Sequence, residues 1–272
     1  MEYRRDFIPT EVFFKKLAER DIDVFTFIER KWSSSLPHVE SSWVKTEDNI
    51  AVVRVTTYSD WLTAVGKKTR NMIRKAEKSG VKTEVVEASQ QLVEDVFKIY
   101  NETPIRQERA FPHYGISLSN VKEIVFSAED DTFIGASLDG EVVGFIQLVY
   151  GDKIAIIQQI LSLQKHSDKA INNTLIAKAV EVCASWKVEW LMYARMGNHP
   201  SLDRFKENNG FTKLVFPRYY VPLSAKGSLA ISLGLQRDIK DSLPNTVKAP
   251  LFPVFNWVSR SKMRFRLWRS GR

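Results

Sequence analysis

One cysteine, Cys183, stands in 272 residues. A chain with a single thiol closes no internal disulfide, so packing and hydrogen bonds must hold the fold, as in a reducing compartment. No apolar run approaches the ~18 residues of a membrane-spanning helix. Met1-Glu2-Tyr3-Arg4-Arg5-Asp6 has no apolar stretch behind it, so no secretory leader is expected and a cytoplasmic location is. His38, His113, His166 and His199 are scattered without metal-site spacing, and no metal is expected. There is neither a P-loop nor a dinucleotide fingerprint. Cys183 falls among the apolar positions of a helical pattern and reads as core.

What is present is ordinary in amount and uneven in placement. The 44% apolar content can fill a sizeable core. The net charge of +8 resides in two patches. Lys67 to Lys82 holds seven basic residues and one acid, and Arg260 to Arg272 holds six basic residues and no acid. The remainder is acidic. Such patches attract phosphates, tRNA or an anionic membrane surface, whereas a solvated helix face and a loose tail are the plainer reading.

The periodicities predict a mixed α/β chain. Pro9-Thr10 can open a helix carrying Phe13, Phe14 and Leu17. Asn49 to Thr57 reads as a strand. One long helix is expected from Asp60 to about Ser79, capped by Ser59 and weakened at Gly66. Then come strand Lys82 to Glu87, helix Gln90 to Thr103, a polar and aromatic loop from Pro104 to Ser117, and helix Leu118 to Phe126. Asp139-Gly140 joins strands Asp131 to Leu138 and Glu141 to Tyr150 as a hairpin. Strand Lys153 to Leu161 comes next. Ile171, Leu175, Ala179, Val182 and Trp186 mark an amphipathic helix capped by Ser167 or Asp168. Strand Glu189 to Met196, a short helix through Phe205-Lys206, the turn Gly210-Phe211 and strand Thr212 to Val221 close the pattern. Ser228 to Ser242 reads as helical, and Pro244, Pro250 and Pro253 interrupt the stretch beyond it.

This order over Lys82 to Leu223 resembles the GNAT acyltransferase fold, a mixed central sheet flanked by helices. Two motifs resemble the Fem-like branch. One is the basic run from Arg70 to Val81. The other is Phe205-Lys206-Glu207-Asn208-Asn209-Gly210, whose Phe-Lys pair stands five residues before its glycine. The division implied is an N-terminal α/β lead-in with the basic helix over 1–81, a catalytic unit over 82–223 and a basic tail over 224–272. The chain departs from the pattern in carrying one such unit. The turn Gln164 to Ala170 also lacks the glycines that let backbone N–H groups approach a pyrophosphate. Phe205 stands where many acetyltransferases place a tyrosine acid.

The resemblance implies N-acyl transfer from an acyl-CoA thioester, acetyl-CoA first, to an amine such as an amino sugar or cell-envelope precursor. Aminoacyl-tRNA is the alternative donor, and a non-catalytic RNA- or membrane-binding module is the third reading. The reaction needs a deprotonated amine, a stabilised oxyanion and aligned partners. Lys206 is placed at the cleft by the Fem-type motif, as an oxyanion or phosphate partner. Tyr193 alternates with Leu191 and Arg195 and could orient or protonate, and Arg195 and Gln158 are expected to contact the acceptor. Gln158 and Gln159 point to opposite sides of one strand. By the fold resemblance, Gln159, Ile160 and Leu161 face the donor, with Lys165, Lys169, Asn172 and Asn198 as further donor contacts. Arg106 and Arg109 could grip an anionic acceptor, Phe111, His113 and Tyr114 could stack on it, and Glu108 or His113 could take the amine proton. Phe265, Arg266, Leu267, Trp268 and Arg269 suit an interfacial segment at the inner membrane face.

Overall fold

The computed structural model describes residues 10–20, 22–29, 43–106, 109–127, 131–151, 153–197 and 199–235. An eight-stranded sheet organises them. Its strands are β1 (Val24–Ile28), β2 (Val44–Arg54), β3 (Lys82–Val86), β6 (Asp131–Leu138), β7 (Glu141–Gly151), β8 (Ile154–Ser162), β9 (Trp190–Met192) and β10 (Thr212–Pro222). The two-residue strands β4 (Ile105–Arg106) and β5 (Arg109–Ala110) pair separately, inside the segment read above as a loop. The sheet order is β1-β10-β2-β9-β8-β7-β6-β3. Every pairing is antiparallel except β8 with β9. The 1–81 segment thus contributes β1 and β2 to the same sheet as the later strands.

Helices cover this sheet. They are α1 (Glu11–Ala18), α2 (Tyr58–Ala64), α3 (Lys67–Lys78), α4 (Gln90–Asn101), α5 (Leu118–Phe126), α6 (Ile171–Ser185), α7 (Pro200–Asn208) and α8 (Ala225–Ser232). Residues 143 to 148 of β7 are all buried, and α4 and α6 both pack on this strand. Consecutive burial in a strand means that both sheet faces are covered. At Gly144 an added Cβ would lie 2.9 Å from Ile171 and 3.1 Å from the Leu161 carbonyl, so only glycine lets α6 sit this close to the β7–β8 pair.

The expected helix from Asp60 to Ser79 is two helices. Val65 and Gly66 are extended (ψ 148° and 160°), and Gly66 is the N-cap of α3. The break leaves carbonyls at the end of α2 without helical partners. Arg70 takes them, donating to Thr63 (3.2 Å), to Leu62 (3.4 Å) and to the Val65 carbonyl. One arginine of the basic run is therefore a helix cap. The cap of α2 is Thr57, which accepts from the Asp60 amide at 3.0 Å, and not Ser59. The expected cap of α6 is also corrected. Ser167 and Asp168 lie inside a 3-10 helix, Gln164–Lys169, and the N-cap of α6 is Ala170, which is left-handed (φ 55°) and makes no side-chain cap bond. The helix expected from Ser228 to Ser242 is α8, which starts earlier and is C-capped at Leu233. The basic tail from residue 236 lies outside the described residues.

Candidate active site

Strands β8 and β9 pair only through Ile154–Trp190, Ala155–Leu191 and Ile156–Met192. The strand expected to reach Met196 ends at Met192 because the chain there follows β2 instead. Tyr193 donates its amide to the Ala51 carbonyl (2.9 Å), and the Ala51 amide donates to the Ala194 carbonyl (2.9 Å). Ala194 adopts φ 46°, a conformation that residues with a Cβ rarely take. Meanwhile β8 continues along β7 through Gln159–Gln147, Ile160–Ile146, Leu161–Phe145 and Ser162–Gly144. Gln158 is the extra residue of a bulge between Ile157 and Gln159. Beyond Ile157 the other edge of β8 has no strand partner among the described residues, so its backbone groups face a split in the sheet.

The β9 wall of the split is held by side chains from β2 and α7. Buried Asp48 accepts from Arg195 (2.5 Å) and from Arg218 (2.7 Å). Asn49 accepts from the Met196 amide (2.8 Å), and Asp203 accepts from the Gly197 amide (2.9 Å). Lys206 donates its Nζ to the Arg195 carbonyl (2.7 Å) and stands 4.6 Å above the Tyr193 ring. Its side chain is fully buried. An ammonium has three donor protons, and one carbonyl and one ring face leave it under-satisfied. Burial lowers its pKa, and nearby Asp203 partly offsets that. Burial raises the Tyr193 phenol well above its ordinary value, so it stays protonated.

The β8 wall is a closed polar chain. The Tyr100 hydroxyl donates to Gln159 Oε1, Gln159 Nε2 donates to Gln147 (3.3 Å), and Gln147 donates to Asp131 (2.8 Å). Burial pushes the Tyr100 phenol up to about 12. Gln159 therefore spends both ends of its amide inside the fold, while Gln158 is exposed. Arg106 also turns its two terminal nitrogens inward, while its Nε is buried without a partner. It donates to the carbonyls of Ser162 (2.7 Å) and Ile99 (2.7 Å) and to Glu102 (3.2 Å), and it lies 4.7 Å over the Phe111 ring. The Glu102 carboxylate accepts the amides of Gln164 (2.7 Å) and Lys165 (3.0 Å). This clasp joins the ends of α4 and β8 to the 3-10 helix. No spacing in the sequence announces it, because Glu102 and Gln164 are far apart along the chain.

His113 stacks flat on Tyr100, with centroids 4.5 Å apart and planes 12° apart. Burial first, and the Arg106 charge second, lower its pKa, so the ring is neutral near pH 7. Phe111 is buried beside it, and Tyr114 is exposed. On the donor side, the first amide of α6 with a carbonyl partner in its own turn is Asn173, which donates to Ala170 (3.0 Å). The Ile171 and Asn172 amides stand at the open helix end. Lys165 is exposed and Lys169 half-buried in the adjoining 3-10 helix, and Asn172 Oδ1 is buried without a partner. The basic helix α3 packs against both α6 and the 3-10 helix.

The structure therefore gathers Lys206, Tyr193 and the Arg195 backbone on one wall, and Gln159, Arg106, Phe111 and His113 on the other. Asn198 and Glu108 lie outside the described residues, as does the Arg109 side chain. An open cleft of about 410 Å3, bordered by Met196, Asp203, Glu207 and Lys213, adjoins the β9 wall but is lined by none of the expected residues. Among the described residues no three His, Cys, Asp or Glu side chains converge as metal ligands, and no helix is long and apolar enough to cross a membrane.

Comparison with known proteins agrees with this geometry. Residues 93–211 match the acetyltransferase (GNAT) family. No curated protein sequence matches the chain significantly. Among solved structures, L-PGS from Bacillus licheniformis superposes with a TM-score of 0.56 at 14% identity, covering 84% of this chain and 77% of that one. FemX superposes with a TM-score of 0.51 at 9% identity, over 66% of this chain and 63% of FemX. The C-terminal domain (DUF2156) of a chain from Agrobacterium fabrum, named as a lysylphosphatidylglycerol synthetase, gives 0.49 at 16% identity, over 71% and 65%. The chain thus spans slightly less than two thirds of the last two structures. At such identities the likeness is one of fold. The parted strands, the matched segment and the shared fold agree: residues 93–211 match the acetyltransferase (GNAT) family and the described residues share its type of fold.

Proposed function

We propose that the protein transfers an acyl group from a thioester of the acyl-CoA type to an amine, with the reacting carbonyl lodged in the split between β8 and β9. The observation that carries this reading is the fully buried Lys206 at the split, with one carbonyl acceptor for three protons. A buried cation so poorly partnered is costly alone. An oxyanion developing beside it supplies the missing acceptor, and a preorganised cation there lowers the barrier.

The remaining roles rest on protonation states. His113, neutral at pH 7, takes a proton from the incoming ammonium. Tyr193 keeps its proton and holds Lys206 by its ring face. The backbone of Gln159, Ile160 and Leu161 aligns the donor along the free edge of β8. The open N-terminus of α6, flanked by Lys165 and Lys169, receives donor phosphates. Arg106 shapes this wall through Ser162 and does not grip substrate itself. An amino sugar or an envelope precursor fits as acceptor by family resemblance.

One observation favours a second donor, aminoacyl-tRNA. Helix α3, which packs against α6 and the 3-10 helix, exposes Lys67, Lys68, Arg74, Lys75 and Lys78, more positive charge than a CoA pyrophosphate needs. Thermal stability against acetyl-CoA, longer acyl-CoAs, free CoA, and charged and uncharged tRNA separates the two. Stabilisation by a CoA species supports the first donor. Stabilisation by charged tRNA alone, weakening steeply with salt, replaces it with the second. Silence across the panel removes both.

A further inference from the structure

Arg195 is held at one end and open at the other. Regular alternation beyond β9 would turn it to the face of Leu191 and Tyr193. Left-handed Ala194 (φ 46°) intervenes, and the guanidinium reaches Asp48 instead. Asp48 is a rigid anchor, 6% exposed. One of its oxygens accepts from the Asn49 amide (2.8 Å), and the other accepts from Arg195 (2.5 Å) and from Arg218 Nε (2.7 Å). Arg218 is itself buried and also donates to the Thr26 hydroxyl (3.1 Å). A guanidinium has five N–H donors, and Asp48 takes one from Arg195. The Arg195 side chain is 45% exposed, and its other N–H groups have no partner among the described residues.

Strand alternation decides which face of the sheet this is. On β2, Asp48 shares a face with Ile50 and Val52, which pack with Met192 and Ile156. Val149 packs on the same cluster and shares its face of β7 with Gln147. Gln147 pairs with Gln159, which bonds Tyr100 beneath the His113 ring. Arg195 and the Tyr100–His113 pair therefore lie on one face of the sheet, on opposite sides of the split. The ion pair is not required to satisfy Asp48, which Arg218 and the Asn49 amide already hold, and half-exposed pairs add little stability. An arginine oriented by a buried carboxylate, with the rest of its fork in solvent, is preorganised for an oxyanion.

We propose that Arg195 is an anion-binding residue of the split, taking a carboxylate or a phosphate through its open N–H groups. In a consequence that rests on the acyl-transfer reading, the anion belongs to the acceptor, whose amine enters the split near His113. The acceptor class is then an amine that also bears an oxyanion, rather than a neutral amine.

Heteronuclear NMR of protein labelled at arginine nitrogen tests the site without turnover, with the Arg195 Nε–H signal assigned by its loss in Arg195→Lys. Inorganic phosphate and acetate are titrated against chloride at constant ionic strength. The Arg195 signal should move saturably with at least one of the two oxyanions and stay still in chloride, and the tighter of the two gives the class of anion. No saturable movement with either, or the same movement in chloride, overturns the inference. Arg195→Gln should melt as the wild type does. With acetyl-CoA as donor, the wild type should prefer phosphoethanolamine or β-alanine over ethanolamine by about tenfold or more in kcat/KM, and Arg195→Gln should lose that preference through KM. Equal use of the three amines by the wild type, or a preference that survives in Arg195→Gln, overturns the assignment of the anion to the acceptor. Saturation by an oxyanion with no turnover of any amine supports the anion site and overturns the acyl-transfer reading alone.

Discussion

The two walls of the split in the sheet solve opposite problems. On the β8 wall most of the conspicuous polar groups are consumed by the fold, Arg106 Nε being buried without a partner. Tyr100, Gln159, Gln147 and Asp131 form one chain, and Arg106 closes a clasp over Ser162, Ile99 and Glu102. On the β9 wall the fold does the reverse. Asp48, Asn49 and Asp203 pin residues 195 to 197, and Lys206, bonded to the Arg195 carbonyl, is left short of acceptors. A satisfied network fixes shape, whereas an unsatisfied buried charge is an opening for chemistry. Two basic side chains that look equally functional in the sequence, Arg106 and Lys206, thus have different work.

Substitutions can break this contrast. Arg106→Ala should have the largest effect on folding, about 3–5 kcal/mol, because it strands a carboxylate and two carbonyls. Chemical denaturation measures it, and Arg106→Lys should recover little, since an ammonium cannot reproduce the fork. A loss under about 1 kcal/mol would make Arg106 a candidate substrate ligand again. Lys206→Met should reverse the pattern. Stability should hold or rise, since the buried charge disappears at similar volume, while turnover falls about 100-fold, or ~2.7 kcal/mol. Full turnover in this variant would remove Lys206 from the mechanism.

Tyr100→Phe probes the β8 wall more gently. One hydrogen bond to Gln159 is lost, worth about 1 kcal/mol, and the ring that supports His113 remains. Any larger loss, seen by denaturation, would mean that the polar chain acts cooperatively.

His113 offers a pH test. Its folded pKa lies below the ordinary 6.5, so as pH falls the unfolded chain binds the proton first and stability drops below about pH 6.5. Turnover should fall in the same direction as the base is lost. His113→Gln should flatten the stability slope between about pH 7 and 5; an unchanged slope would show that the ring titrates normally. The smallest effect concerns Cys183. It is fully buried, with its thiol pushed up to about 12. Alkylating reagents should leave it untouched in the native protein at about pH 8 and modify it after denaturation.

Much of the architecture was legible along the chain because its signals are local. The Asp139-Gly140 hairpin, the helix Leu118–Phe126 and the spacing of Ile171, Leu175, Ala179 and Val182 all act over one or two turns. The misread places are those where a distant partner prevails. Arg70 lets the chain break at Gly66 by taking the carbonyls that the break exposes. The strand Trp190–Met192 stops early because β2 offers Tyr193 and Ala194 hydrogen bonds that β8 cannot. The hairpin Ile105–Arg106 with Arg109–Ala110 hides in a segment too short for periodicity to register.

The candidate site divides in the same way. Lys206 stood out through its Phe-Lys motif and His113 through the aromatic loop around it. Asp48, Asn49, Tyr100 and Glu102 gave no signal, since each acts on a residue 59 to 170 positions away in sequence. By itself the sequence determined the order of elements, the lack of any internal disulfide in a one-cysteine chain and the placing of charge in two patches, because these rest on composition and short-range periodicity. Only the tertiary structure decided which cation is spent and which is left open. Burial and hydrogen-bond satisfaction are properties of the neighbours that the fold brings together, and no local pattern encodes them.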